Sequence, residues 1–198
     1  MSSELRKRYF NLPNYITLGR VVAVFALMGI MLFMKEGGAL LSYIAAAFFL
    51  TTMLSDLVDG YYARKYNITS TFGKFFDPLA DKLIFLVAMV LMIPLERIPA
   101  WMVALFMLRE IIVSALRSVA IDEGIIIAAN RWGKYKTAFT TAATAALLIH
   151  YPLFGVEWRL IGWCFLWPAL ILSIGSGVHY TWGFVQSLRK KNQAHVTK

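Results

Sequence analysis

Six long apolar stretches constrain the fold of this chain more than any other feature of its sequence. They cover approximately residues 16–34, 39–62, 71–94, 99–121, 134–154 and 160–188. A bilayer core about 30 Å thick is crossed by a helix of about 20 apolar residues, so each stretch is long enough to span a membrane. Of all residues, 59% are hydrophobic and 16% are charged. In soluble domains about 45–50% of the residues are apolar and about 25% are charged. The sequence therefore predicts an all-α integral membrane protein.

The positions of the basic residues predict how these helices are oriented. If both termini lie in the cytoplasm, all but three of the 20 Lys and Arg residues fall on or near the cytoplasmic side. The three exceptions are Lys35, Arg97 and Arg159. The positive-inside rule thus predicts six transmembrane helices with both termini cytoplasmic. The net charge of +9 indicates anionic lipids or an anionic substrate rather than nucleic acid, because the basic residues flank apolar stretches.

The two ends of the chain are expected to be peripheral parts of one domain over residues 1–198. Residues 1–13 form an interfacial segment, either a short amphipathic helix or a partly ordered basic tail, and residues 189–198 form a basic cytoplasmic tail. The first 14 residues lack the pattern of a cleavable signal peptide. The single cysteine, Cys164, excludes an internal disulfide.

Four aspartates give the strongest chemical signal. Asp56 and Asp59 are spaced i, i+3, and Asp77 and Asp81 are spaced i, i+4, so each pair shares one helical face. The polar segment 65–72 between them is typical of a turn, which would let the two pairs converge. Four carboxylates close together are costly near lipid, and Mg²⁺ or Mn²⁺ bound to their oxygens would remove that cost. Two such ions about 4 Å apart can clamp the attacking and leaving oxygens of a phosphoryl transfer.

Small residues accompany these aspartates. Gly60 and Gly73 leave space where a β-carbon would block a nucleotide or a close helix contact, and Ala63 continues the narrow face. Arg64 lies one turn after Gly60, where its guanidinium could bind a phosphate. The alternative is an interfacial salt-bridge cluster of the aspartates with Arg64, Lys74 and Lys82. Ion pairing explains the charges but not four aligned aspartates with two glycines.

The pattern Asp-x2-Asp-Gly-x2-Ala-Arg-x8-Gly-x3-Asp-x3-Asp over residues 56–81 resembles the signature of the CDP-alcohol phosphotransferases and matches every fixed position. The resemblance implies a membrane enzyme, expected to be a homodimer, that transfers a CDP-linked group to an alcohol. It implies metal ligation by Asp56, Asp59, Asp77 and Asp81, with Asp81 also the general base. It implies CDP binding by Asp56, Gly60, Ala63, Arg64 and Gly73.

Polar residues elsewhere in the apolar stretches are candidates for binding the acceptor alcohol. Together they predict a subsite for an anionic ligand such as an acceptor phosphate: Asn14, Thr17, Arg20, Arg109, Arg117, Lys134 and Lys136. Simpler alternatives are capping by Asn14, snorkelling by Arg20 and positive-inside anchoring by Arg117, Lys134 and Lys136. Anchoring accounts less well for Arg109, which lies inside an apolar stretch. Glu110 is expected to orient one of the arginines.

The segments that carry these residues resemble members of the family that use a phosphorylated acceptor. The resemblance implies transfer of the phosphatidyl group of CDP-diacylglycerol to sn-glycerol 3-phosphate, which gives phosphatidylglycerophosphate and CMP. The reaction would take place at the cytoplasmic face of the inner membrane, with membrane lipids around the enzyme. Alternative acceptors are inositol phosphate, serine and phosphatidylglycerol. A cation transporter with an acidic vestibule is an alternative of another class.

Overall fold

The computed structural model of the protein describes residues 12–65, 71–124 and 131–196. Of the interfacial segment expected at residues 1–13, residues 1–11 lie outside these ranges. The described chain folds into six α-helices without a strand, which confirms the all-helical prediction for this part of the chain. Their bounds are α1 Leu12–Leu32, α2 Met34–Lys65, α3 Thr71–Met92, α4 Ala100–Asp122, α5 Arg131–Ile149 and α6 Trp158–Val196.

Each predicted apolar stretch corresponds to one helix, although several ends differ. Helix α5 ends at Ile149, five residues before its predicted end, because Pro152 follows and disfavours helical backbone in the residue before it. Helix α6 continues through Pro168 to Val196, eight residues beyond its predicted end. Its last residues are mostly good helix formers, so the predicted basic tail begins as part of the helix.

The junction between α1 and α2 is a tight turn. Gly37 N–H donates to the carbonyl of Phe33 at 2.9 Å. Gly38 then adopts φ 57° and ψ −136°, a conformation that is open to glycine and strained for other residues. The first residues of α2 are therefore kinked away from its main axis at Gly38, in the interval between the first two apolar stretches.

In the described part of the chain, two helical segments are long and apolar enough to cross a membrane: Met34–Ser55 in α2 and Trp158–Arg189 in α6. Shorter apolar segments are Gly19–Leu32 and Lys82–Met92. Helix α4 interrupts its apolar sequence with three charged residues, Arg109, Glu110 and Arg117. Such residues are expensive within a bilayer and usually face the interior of a helical bundle.

Side chains from several helices form one hydrophobic core. Fully buried members include Leu27, Phe49, Met89, Phe106 and Leu147. Helices α5 and α6 have the most extensive contact, and Gly162 permits their close approach. A Cβ at Gly162 would lie 2.6 Å from Cγ of Leu147 and 3.1 Å from its backbone nitrogen. Small residues commonly allow membrane helices to approach each other in this way.

Arg97 joins three elements at one end of the bundle. Its guanidinium donates to the carbonyls of Leu147 and Leu148 at 3.1 and 2.6 Å and to Ser42 Oγ at 2.7 Å. These carbonyls belong to the last turn of α5, which lacks intrahelical donors. Arg97 is only 4% exposed, so it fixes the connection between α3 and α4 against α2 and α5.

Candidate active site

The four aspartates of the motif lie where two consecutive helices approach the same connection. Asp56 and Asp59 belong to the last ten residues of α2, and Asp77 and Asp81 to the first eleven of α3. Both segments are helical, so the spacings i, i+3 and i, i+4 have the expected meaning. The side chains of residues 56–81 lie outside the described part, and the metal site therefore stays a prediction.

For the residues assigned to CDP, and for two of those assigned to the acceptor, the structure likewise gives the helix but does not describe the side chain. Gly60, Ala63 and Arg64 lie on α2 and Gly73 on α3, within the segment whose side chains are not described. Asn14 and Thr17 lie at the start of α1, also outside the described side chains. Among the side chains that are described, no three His, Cys, Asp or Glu residues come together as metal ligands.

A cluster of charged side chains is built around Glu110 on α4. We define the Glu110 cluster as Glu110, Lys82, Arg109 and Lys136. Arg109 Nη1 donates to Glu110 Oε1 at 2.8 Å, and the Lys136 ammonium donates to the same oxygen. Lys82 Nζ lies 3.6 Å from Glu110 Oε2. The Glu110 side chain is only 8% exposed. Its carboxylate joins cations from α3, α4 and α5.

Arg109 also connects α4 to α6. Its Nε donates to the carbonyl of Ser173 at 3.1 Å, and its Nη2 donates to Ser176 Oγ at 2.9 Å. Gly177 makes room for this side chain, because a Cβ there would lie 3.1 Å from Arg109 Cγ. Each nitrogen of the guanidinium therefore has a protein partner, and Arg109 holds α6 against the Glu110 cluster.

Lys82 connects the Glu110 cluster to the aspartate motif, because it directly follows Asp81. The Lys82 ammonium donates to Ser114 Oγ, and Ser114 Oγ donates to the carbonyl of Glu110 at 2.6 Å. In the salt-bridge alternative, Lys82 is a partner of the aspartates. Among the side chains that the structure describes, its acidic partner is Glu110; the aspartate side chains lie outside the described part.

The structure confirms the expectation that Glu110 contacts an arginine, since Glu110 accepts a hydrogen bond from Arg109. The sequence did not predict the contacts of Glu110 with Lys82 and Lys136. The available signal was modest: Glu110 is the one acidic residue within the apolar part of the fourth stretch, and charges at such depth need partners. Nothing in the spacing of Lys82 and Lys136 indicated that α3 and α5 both face this carboxylate.

The remaining acceptor candidates have different environments. Arg117 on α4 and Lys134 on α5 are exposed, whereas Arg20 on α1 is half-buried. The Glu110 cluster itself contains three cations and one carboxylate, and its members are between 8% and 32% exposed. A positive excess in a partly desolvated site attracts anions more strongly than it would in bulk water.

Comparison with known proteins places this chain among enzymes. Residues 10–175 match the family model described as CDP-alcohol phosphatidyltransferase, and the chain belongs to this family. With its long apolar helices, it is a membrane-bound phosphatidyltransferase, as the aspartate motif predicts.

Several bacterial relatives carry the name CDP-diacylglycerol–glycerol-3-phosphate 3-phosphatidyltransferase. The Bacillus subtilis protein is 39% identical over 184 residues, which cover 86% of this chain and 93% of that protein. The Haemophilus influenzae protein is 34% identical over 179 residues, with 86% and 91% covered. The Rickettsia felis protein is 31% identical over 171 residues, with 86% and 93% covered. The similarity thus extends well beyond the motif.

Proposed function

We propose that this chain transfers the phosphatidyl group of CDP-diacylglycerol to sn-glycerol 3-phosphate and releases CMP. The names of its relatives support this substrate pair. The structural observation that carries the proposal is the positive excess of the Glu110 cluster, which begins one residue after Asp81. A phosphomonoester has a charge of about −1.5 to −2 at pH 7, so an acceptor with a phosphate suits this cluster better than a neutral alcohol does.

We infer that all six helices span the inner membrane of a bacterial cell and that both termini are cytoplasmic. The ends of α2 and α4 and the starts of α3 and α5 then lie on the cytoplasmic side, together with the aspartates. The single domain over residues 1–198, with its interfacial segment at 1–13 and basic tail at 189–198, belongs to this proposal. So does the homodimer, which size-exclusion chromatography with light scattering would test.

The donor set of the motif suits a divalent cation. Members of this family generally depend on a divalent metal, and carboxylate oxygens are ligands that Mg²⁺ and Mn²⁺ prefer. Asp56, Asp59, Asp77 and Asp81 would hold two such ions. When bound, the metal neutralises the diphosphate of the substrate and the charge that develops on the departing CMP.

Proton transfer and nucleotide binding are assigned to residues of this chain. Asp81 takes the proton of the glycerol C1 hydroxyl, whose oxygen forms a bond to the phosphorus that bears diacylglycerol. The bond from this phosphorus to the oxygen of the CMP phosphate breaks, and CMP leaves. Gly60, Ala63 and Gly73 leave room for the nucleotide, and Arg64 binds its phosphate. The acyl chains remain in the bilayer.

The acceptor phosphate would be bound by basic and polar side chains outside the motif. Arg109, Arg117, Lys134 and Lys136 supply positive charge from α4 and α5. Asn14, Thr17 and Arg20 supply the polar face of α1. Charge-assisted hydrogen bonds to phosphate are about twice as strong as neutral ones, so this subsite would select acceptors that carry a phosphate.

CMP release by purified protein with CDP-diacylglycerol and Mg²⁺ tests this proposal. Glycerol 3-phosphate is compared with serine, inositol phosphate and phosphatidylglycerol. We expect release with glycerol 3-phosphate alone. Release with another acceptor would contradict the acceptor assignment. Metal-dependent ion flux in proteoliposomes without any CMP release would favour a transporter.

A further inference from the structure

Glu110 lies at the centre of a cluster whose cations come from three helices, and its own role is not that of a ligand for phosphate. We propose that Glu110 is a positioning residue: its carboxylate holds the ammonium groups of Lys82 and Lys136 together as a paired binding site for the acceptor phosphate. This inference rests on the proposed function, because it specifies which side chains of the acceptor subsite meet the phosphate and what places them there.

The contacts of the carboxylate support this role. Glu110 Oε1 accepts from Lys136, and Oε2 lies 3.6 Å from Lys82 Nζ, so the two lysines from α3 and α5 meet on one group. Lys82 is held a second time by Ser114 Oγ, which is hydrogen-bonded to the Glu110 carbonyl. A lysine side chain has four flexible carbon–carbon bonds, and these contacts limit where its charge can lie.

The charge of the cluster leaves capacity for a ligand. One carboxylate compensates one of three cations, which leaves an excess of two positive charges for a phosphate of about −1.5 to −2. The Lys82 side chain is 32% exposed, against 11% for Lys136 and 15% for Arg109. The phosphate therefore reaches the cluster from the Lys82 side.

Arg109 differs from the two lysines in how many of its donor groups already have partners in the protein. Its Nε and Nη2 donate to Ser173 and Ser176 on α6, so movement of its guanidinium would break the link between α4 and α6. Each lysine ammonium has three donor hydrogens, and Lys136 uses one on Glu110. The lysines retain hydrogens for the phosphate, whereas Arg109 contributes mainly charge and rigidity.

Binding of radiolabelled inorganic phosphate to the full-length purified protein tests this role independently of turnover. We expect Glu110→Gln to weaken phosphate binding about tenfold, within the usual coupling between contacting residues. The KM for glycerol 3-phosphate should rise by a similar factor, while the KM for CDP-diacylglycerol should change less than about twofold. Glu110→Asp keeps the charge and should recover part of the affinity.

A pair of serine variants separates positioning from general destabilisation, should Glu110→Gln fail to fold. Ser114→Ala removes the second contact of Lys82 and should weaken phosphate binding severalfold. Ser42→Ala is the matched control, because it removes a hydrogen bond from buried Arg97 at the other end of the bundle. It should leave phosphate affinity unchanged. Equal phosphate affinity in the wild type and Ser114→Ala would overturn the proposal.

A double-mutant cycle tests whether Glu110 acts through Lys136. Lys136→Gln alone should weaken phosphate binding, but should add little in the Glu110→Gln background. Fully additive losses, or equal affinities of the wild type and Glu110→Gln, would refute the positioning role. Absence of phosphate binding by the wild type would also refute it. Failure of the proposed function is a separate result: no CMP release with glycerol 3-phosphate from protein that binds phosphate.

Discussion

At the residue scale, chemistry and environment can be compared for the charged side chains that the structure describes. Glu110 and Arg97 are both buried, and each binds groups from other helices. Their functions differ, since Glu110 gathers cations near the aspartate motif, whereas Arg97 satisfies carbonyls at the far end of α5. A buried charge in this protein is therefore evidence of a specific network, which has to be identified from its partners.

Substitution of Asp81 tests the assigned general base. Asp81→Asn keeps the size of the side chain but removes its ability to take a proton, and loss of a general base typically lowers turnover by about 10²–10⁴-fold. We expect the rate of CMP release to fall by at least about 10²-fold, while the unfolding temperature stays close to that of the wild type. Near-normal turnover would exclude Asp81 from the proton transfer.

His150 gives a prediction about pH. It lies just after α5 with φ 59°, and burial, followed by the charges of Arg97 and Arg159, lowers its pKa. The unfolded chain, with a His pKa of about 6.5, therefore binds more protons on acidification than the folded chain does. Neutral His150 therefore makes its full contribution to the free energy of unfolding above about pH 6.5. This contribution is lost as the pH falls through the lower folded-state pKa.

Replacement of His150 by Asn should reduce this acid sensitivity, because Asn does not titrate and tolerates the left-handed conformation. Unfolding temperatures of detergent-purified protein would be compared at about pH 7.5 and about pH 5.5, on either side of the usual His pKa. His179→Asn, at an exposed position on α6, is the control. If both variants keep the wild-type pH dependence, His150 is not its source.

At the scale of the elements, the sequence predicts the helices well and their contacts poorly. Apolar length and the flanking polar segments locate all six helices. The pairing of Lys82 with Glu110, and the contact of Arg97 with α5, depend on which helix faces face each other. Periodicity within one helix contains no information about the rotation of its neighbours. The aspartate motif could be recognised because all of its residues lie within one short segment, residues 56–81.

The contact between α5 and α6 depends on Gly162. A methyl group there would meet Leu147 at 2.6 Å and its backbone nitrogen at 3.1 Å, so Gly162→Ala should destabilise the protein by about 1–3 kcal/mol, as overpacking does. Gly175→Ala on the same helix is the control, because nothing lies within 4 Å of its added Cβ. An unfolding temperature of Gly162→Ala at or above that of the control would contradict this packing.

At the scale of the whole molecule, the six-span orientation assigns opposite sides to two exposed residues. Lys35 lies at the α1–α2 junction and Asp122 at the end of α4. In a Cys164→Ser background, an impermeant maleimide added to spheroplasts should label Lys35→Cys and not Asp122→Cys, which should react after permeabilisation. The reverse pattern would invert the topology and place the aspartates outside.

The most direct test of the central claim follows one oxygen atom through the reaction. Purified protein receives CDP-diacylglycerol, Mg²⁺ and glycerol 3-phosphate that carries a heavy oxygen isotope in its C1 hydroxyl, and mass spectrometry examines both products. We predict that the heavy oxygen remains in phosphatidylglycerophosphate, as the bridge between glycerol and the diacylglycerol-bearing phosphorus, and that CMP is unlabelled. Heavy oxygen in CMP, or CMP release without a labelled lipid, would contradict the account.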